Sequence, residues 1–142
     1  MIKCETIGQI NASVNNPVII SENAVDNYTF LTDNGIVYLI ANTVSGDDSY
    51  VDEITFAAGE YLNGFNVAAW VDQKLVIDER HIAYGTGEDF DDITAGTTLL
   101  TIDENGALAI ADSAPDSGVY FKVTDKMAGI GGNRVKALVM VA

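Results

Sequence analysis

Two Asn-Gly pairs stand between apolar, β-branched runs, and each asks an extended chain to reverse tightly on itself. In the first, residues 28–31 lead into Thr32-Asp33-Asn34-Gly35 and out through residues 36–41. Asn and Gly tolerate the positive φ angles that a two-residue hairpin turn requires. The outgoing segment is apolar at Ile36, Val37, Tyr38, Leu39 and Ile40, which predicts a central strand covered on both faces. In the second hairpin, residues 98–102 and 107–111 flank Asp103-Glu104-Asn105-Gly106, with Leu108 and Ile110 on one face and alanines on the other. The likeness of Phe30-Leu31-Thr32-Asp33-Asn34-Gly35 to Leu100-Thr101-Ile102-Asp103-Glu104-Asn105-Gly106 reads as one turn solution used twice, since nothing around it repeats with a fixed period.

Two later segments carry the two-residue period of half-buried strands. Val119, Phe121 and Val123 oppose Tyr120, Lys122 and Thr124, and Val135, Ala137, Val139 and Val141 oppose Lys136, Leu138 and Met140. Residues 125–133, with Gly129, Gly131 and Gly132, read as a flexible hairpin connection, and the closing strand needs a sheet to hold it. A short helical turn is predicted near residues 67–71 and a strand over 74–78. Near the N-terminus Ile7, Ile10 and Val14 have helical spacing, but Gly8 and several Asn residues weaken a helix, so an extended arm over residues 1–25 is an equal reading. The acidic, Gly-bearing segments 44–52 and 85–92 are expected in water. The pattern is that of an all-β chain: one domain over residues 1–142, a β-sandwich or open β-barrel with at most one or two short helical turns.

At 142 residues and 48% hydrophobic content, the chain can bury one core and has little room for a second. The single cysteine, Cys4, excludes an intramolecular disulfide, and one histidine leaves no Cys/His set for structural zinc. No segment approaches the roughly 18 uninterrupted apolar residues of a membrane span, and the first residues lack a signal peptide's apolar run, which points to synthesis in a cytosol. A formal charge of −14 repels phosphate backbones and anionic headgroups, so neither nucleic acid nor a membrane surface is an expected partner. The cations are unevenly placed: Lys3 is the only base before Lys74, whereas Lys126, Arg134 and Lys136 follow Asp125 with no acid after it. A C-terminal hairpin would therefore carry a basic surface on an acidic body.

Each residue that could carry chemistry has a plainer reading beside it. His81 follows Asp78-Glu79-Arg80, but a general base needs an orienting network that this spacing does not supply, and a structural or surface histidine fits better. Cys4 has no His/Asn context and reads as an inert thiol. The run Glu88-Asp89-Phe90-Asp91-Asp92 gathers oxygens but lacks the ligand order of a calcium loop, so a solvated loop is the better reading and no metal is assigned. Gly129-Ile130-Gly131-Gly132 matches no phosphate-binding fingerprint. Trp70 with Tyr61, Phe65 and Tyr84 suggests either a sugar-stacking platform or core packing, the latter being the commoner use of aromatics in small β domains. No catalytic set and no cofactor site emerge, and the chain does not read as an enzyme.

Over residues 61–142 the texture of the chain resembles a known family. The likeness runs through Asn63-Gly64-Phe65, Ala69-Trp70, Gln73-Lys74-Leu75-Val76-Ile77-Asp78, His81-Ile82 and Gly96-Thr97-Thr98-Leu99. It continues through Asp103, Gly106 and Leu108, then Gly118-Val119-Tyr120-Phe121-Lys122-Val123 and Lys136-Ala137-Leu138-Val139. This texture is similar to that of the head-decoration, or cement, proteins encoded by tailed phages of Gram-positive bacteria. The resemblance implies a non-enzymatic virion protein that binds the outer surface of an expanded capsid, commonly as a homotrimer, and reinforces it. Its partners would be the major capsid protein and further copies of itself. It would be assembled in the bacterial cytoplasm and displayed on the virion. On that reading Lys122, Lys126, Arg134 and Lys136 steer the capsid or subunit contact, while Leu138 and Met140 supply burial. The alternative class is a receptor- or carbohydrate-binding surface module, resting on Trp70 and the aromatics.

Overall fold

The computed structural model describes residues 1–4, 18–41 and 54–142. Most of the expected N-terminal arm and the acidic segment 44–52 lie outside the described residues. The described residues form an all-β architecture of antiparallel sheets, as the turn pattern predicts. A six-stranded sheet contains β1 (Ile2–Cys4), β8 (Lys74–Asp78), β12 (Arg134–Val141), β11 (Val119–Met127), β9 (Leu99–Ile102) and β10 (Leu108–Ala111), in that spatial order. A four-stranded sheet runs β2 (Val18–Ile20), β7 (Tyr61–Asn66), β5 (Ile36–Ile40) and β4 (Thr29–Asp33). β3 (Val25–Asp26) and β6 (Thr55–Phe56) form a separate two-stranded sheet. The described helical pieces are 3₁₀ turns at Val67–Trp70, Glu79–His81 and Phe90–Asp92, the first of them where the sequence predicts a helical turn. No helix among the described residues is long and apolar enough to cross a membrane.

Alternation decides what is buried. On the large sheet Leu75, Ile77, Leu100, Leu108, Phe121, Val123, Val135, Ala137 and Val139 turn inward, each large side chain contributing about 1.5–3 kcal/mol by leaving water. They meet Phe30 and Leu39 of the small sheet, with the Phe30 and Phe121 rings tilted at a centroid distance of 5.4 Å. Ile19, Val25, Tyr38, Ile40 and Leu62 form a second cluster. Strand β5 therefore feeds both, Leu39 to one cluster and Tyr38 and Ile40 to the other. This is the two-sided cover expected of it, and it does lie between β7 and β4.

The two Asn-Gly turns are not one solution. In the first, Asn34 (φ 51°) and Gly35 (φ 77°) both adopt the left-handed region and join the paired residues Asp33 and Ile36 directly. In the second only Gly106 does so (φ 80°), because the Asp103 carboxylate accepts from the Asn105 and Ala107 amides at 2.8 and 3.0 Å and builds a wider turn. The β11–β12 connection is also shorter than predicted. Strand pairing carries on to Met127 and resumes at Arg134, since these two residues still face each other across the ladder.

Gly106 ties the second turn to the small sheet. Its carbonyl accepts from the Phe30 amide at 2.9 Å, and a Cβ at this position would collide with the Phe30 carbonyl oxygen. Gly35 has a similar φ but open space around it. Gly106→Ala is therefore expected to lower unfolding free energy by about 2–4 kcal/mol, combining backbone strain with a backbone collision. Gly35→Ala should cost only about 1 kcal/mol. Parallel urea titrations of the two variants check the difference, and equal losses would contradict this role for Gly106.

Candidate docking face

Because one side of β11 and β12 is committed to the core, the other side is forced outward. On β12 the buried residues Val135, Ala137 and Val139 alternate with the half-buried Arg134, Lys136, Leu138 and Met140. On β11 Tyr120, Lys122 and Thr124 alternate in the same way with Phe121 and Val123. The register sets Lys122 opposite Leu138 and Tyr120 opposite Met140. On the flanking strands, Leu99 of β9 pairs with Lys122, and Lys74 and Val76 of β8 pair with Leu138 and Lys136. Lys3 of β1 occupies the register position opposite Val76. The result is a sheet face on which cations and apolar side chains interleave.

A β-bulge reshapes this face at Thr124. The register shifts between Val123 and Asp125, so that Asp125 pairs with Lys136, Lys126 with Val135 and Met127 with Arg134. Unbroken alternation would have put the Asp125 carboxylate in the core, where an unpaired charge is costly. The bulge turns it outward instead. There it accepts from the Thr124 hydroxyl at 2.8 Å and lies 3.4 Å from Lys74 Nζ. The Thr124 hydroxyl foremost, then the Lys74 and Lys136 charges, hold its carboxyl below the usual aspartate range.

The same shift turns Lys126 inward. Its ammonium donates to the Phe90 carbonyl oxygen at 2.8 Å and sits 4.4 Å from the Phe90 ring centroid. Of the six residues assigned to an interface from sequence, the structure therefore gathers Lys122, Arg134, Lys136, Leu138 and Met140 on one face. Lys126 is spent on the chain's own loop. Sequence reasoning missed Lys74, Val76 and Leu99, which join the face only through pairings between distant segments. It also passed over Tyr120, although the alternation it used already placed that ring beside Lys122.

The acidic loop beneath Lys126 is a self-capped turn. Glu88 Oε1 accepts from the Gly85 amide at 2.7 Å, and Asp89 and Asp92 form a reciprocal capping box around Phe90–Asp92. Among the described residues no group of three His, Cys, Asp or Glu side chains is placed to hold a metal ion. Nε2 of His81 lies 2.8 Å from the Met1 amino nitrogen, and its ring meets Tyr28 edge-on at 5.5 Å. The Met1 amino group also donates to Asp78 Oδ2 at 2.7 Å. A cleft of about 290 Å³ lies alongside, lined by Asp26, Asn27, Tyr28, Arg80, His81 and Asn105 among others. Cys4, in β1, holds the register position opposite Leu75 of β8.

The aromatic candidates do not converge. Phe65 is buried, and Trp70 stacks on it with centroids 6.2 Å apart. The Tyr84 hydroxyl donates to Glu79 Oε1 at 3.0 Å, and burial, followed by that hydrogen bond and the nearby carboxylates, pushes its ionisation far above the usual tyrosine range. Tyr61 alone of the four is widely exposed, at 78%.

Comparison with protein-family models, with curated proteins and with solved structures returns no match for this chain.

A carboxyl held below its ordinary value adds stability that is full above that value and fades as pH falls through the lowered one. Asp125 should accordingly titrate below an ordinary aspartate in carboxyl-carbon NMR, and Thr124→Val should move its midpoint upward. A midpoint that ignores the loss of the hydroxyl would show that Thr124 is not the main cause.

Proposed function

We propose that this chain is a non-catalytic structural protein of a virion, which binds the outer surface of the assembled capsid through the exposed face of its large sheet and stabilises the shell. One observation supports the reading above the others. Four of the seven Lys and Arg residues of a chain of charge −14 share that face, with Asp78 and Asp125 the acids on its strands. Leu99, Tyr120, Leu138 and Met140 stand among those cations. A basic patch on an acidic body steers one orientation toward an acidic partner, and apolar groups between the charges supply burial once docked. The resemblance to phage head-decoration proteins names the partner as the major capsid protein and adds association of copies as a homotrimer.

The proposed mechanism is linkage. A ligand that prefers the expanded lattice stabilises it by the difference between its affinities for the two states, repeated at every site. No bond is made or broken, and no cofactor takes part. The carbohydrate-binding alternative depends on a shared aromatic platform, and the burial of Phe65 and the engagement of Tyr84 with Glu79 favour the docking reading over it.

Purified protein mixed with undecorated, expanded heads should co-sediment to a saturable occupancy that weakens with added salt. The combined neutralisation Lys122→Gln, Arg134→Gln and Lys136→Gln should lower affinity by about tenfold or more, with only a modest fall in the thermal midpoint from losing the Arg134–Asp78 pair and the Lys136 charge beside Asp125. Unaltered occupancy by the triple variant would reject the assignment of this face.

A further inference from the structure

Asn34-Gly35, Asn63-Gly64 and Asn105-Gly106 share one intrinsic chemistry. The backbone nitrogen of the glycine can attack the side-chain carbonyl carbon of the asparagine before it, and a residue without a Cβ hinders that approach least. All three asparagines are exposed. The structure separates the pairs by what it does with the glycine, which supplies the nucleophile.

Gly106 is buried, its amide donates to the Asp103 carbonyl at 3.1 Å, and its own carbonyl accepts from the Phe30 amide at 2.9 Å. The attacking nitrogen is held, and the turn would have to open first. Gly64 is buried within β7, opposite Ile40 of β5, and packed so closely that a Cβ there would collide with Ile19. Closing a five-membered ring at Asn63 would draw the main chain away from the extended form that β2 and β5 hold from either side. Gly35 differs on every count. It is exposed, and nothing lies within 4 Å of where a Cβ would stand. Among the described residues neither its amide nor the Asn34 side chain has a hydrogen bond.

We infer that Asn34 is a site of self-modification by deamidation, with water as the co-reactant. The Gly35 nitrogen loses its proton to hydroxide and forms a bond to Asn34 Cγ. The Cγ–Nδ2 bond breaks, and Nδ2 takes up a proton and leaves as ammonia. Water then opens the cyclic imide at one of its two carbonyl carbons. Addition at Cγ leaves aspartate; addition at the main-chain carbonyl carbon leaves isoaspartate, with the chain routed through Cβ and Cγ. Either product adds one negative charge. The isoaspartate also adds a methylene to a loop of only two residues, so Asp33 and Ile36 lose the register that the turn sets. The hairpin that carries Phe30 and Leu39 into the core is loosened as a result. This chemistry does not depend on capsid docking.

The test incubates the purified full chain at mildly alkaline pH, folded and in urea, then cleaves it with endoproteinase Asp-N for mass spectrometry. Cleavage before aspartate puts Asn34, Asn63 and Asn105 on separate peptides. In the folded chain the peptide beginning at Asp33 should show conversion of amide to acid at least about tenfold faster than the other two, whose glycines must first be freed by local opening. In urea the three rates should converge. The aged protein should melt below the fresh protein, whereas Asn34→Gly, which keeps a turn of the same kind, should hold its midpoint on ageing. Equal rates at the three sites in the folded chain, or an unchanged Asn34 where the unfolded chain reacts, would overturn the site. Conversion at Asn34 with no change in melting would overturn the loosening of the hairpin.

Discussion

The rest of the structure depends on the packing of β11 and β12 against the small sheet. Phe121, Val123, Val135, Ala137 and Val139 must meet Phe30 and Leu39 to exclude water, and strand geometry then leaves the intervening side chains no choice of side. A slip of one residue would exchange the two sets completely and place Lys122 and Lys136 in the core. The exposed face is thus a consequence of the core and inherits its rigidity. The Phe30 amide on the Gly106 carbonyl adds a polar fixture between the two sheets.

The bulge at Thr124 shows how one irregularity serves both sides of a sheet. It removes the Asp125 carboxylate from the core, lets the Thr124 hydroxyl hold that carboxyl below the usual aspartate range, and sends Lys126 inward to the Phe90 loop. An inward lysine stem covers apolar surface while its ammonium reaches a carbonyl and a ring face. The loop it grips spends Glu88, Asp89 and Asp92 on backbone amides, so much of that acidic run is a local folding device.

Legibility in the sequence followed the range of the interactions. Turn residues and two-residue alternation act locally, which is why the all-β class, the hairpins, the turn after Asn66 and the sides of β12 could be read from the chain alone. Lys126 could not be placed by alternation, because the bulge that turns it lies between Val123 and itself; the sign of that bulge was an aspartate falling at an inward position. The place of β8 between β1 and β12 left no local mark, since those segments are far apart in sequence, and Lys74 and Val76 were missed for that reason. The two Asn-Gly turns looked alike because their residue types match, yet the Asp103 carboxylate captures amides that Asp33 does not.

The claim that the exposed face of the six-stranded sheet is the docking surface is tested most directly by lysine acetylation footprinting, read by mass spectrometry, on free protein and on protein bound to expanded heads. Docking through this face predicts that Lys74, Lys122 and Lys136 lose reactivity when bound, while Lys126, already held at Phe90, changes little. Undiminished labelling of Lys122 and Lys136 on saturated heads would contradict it.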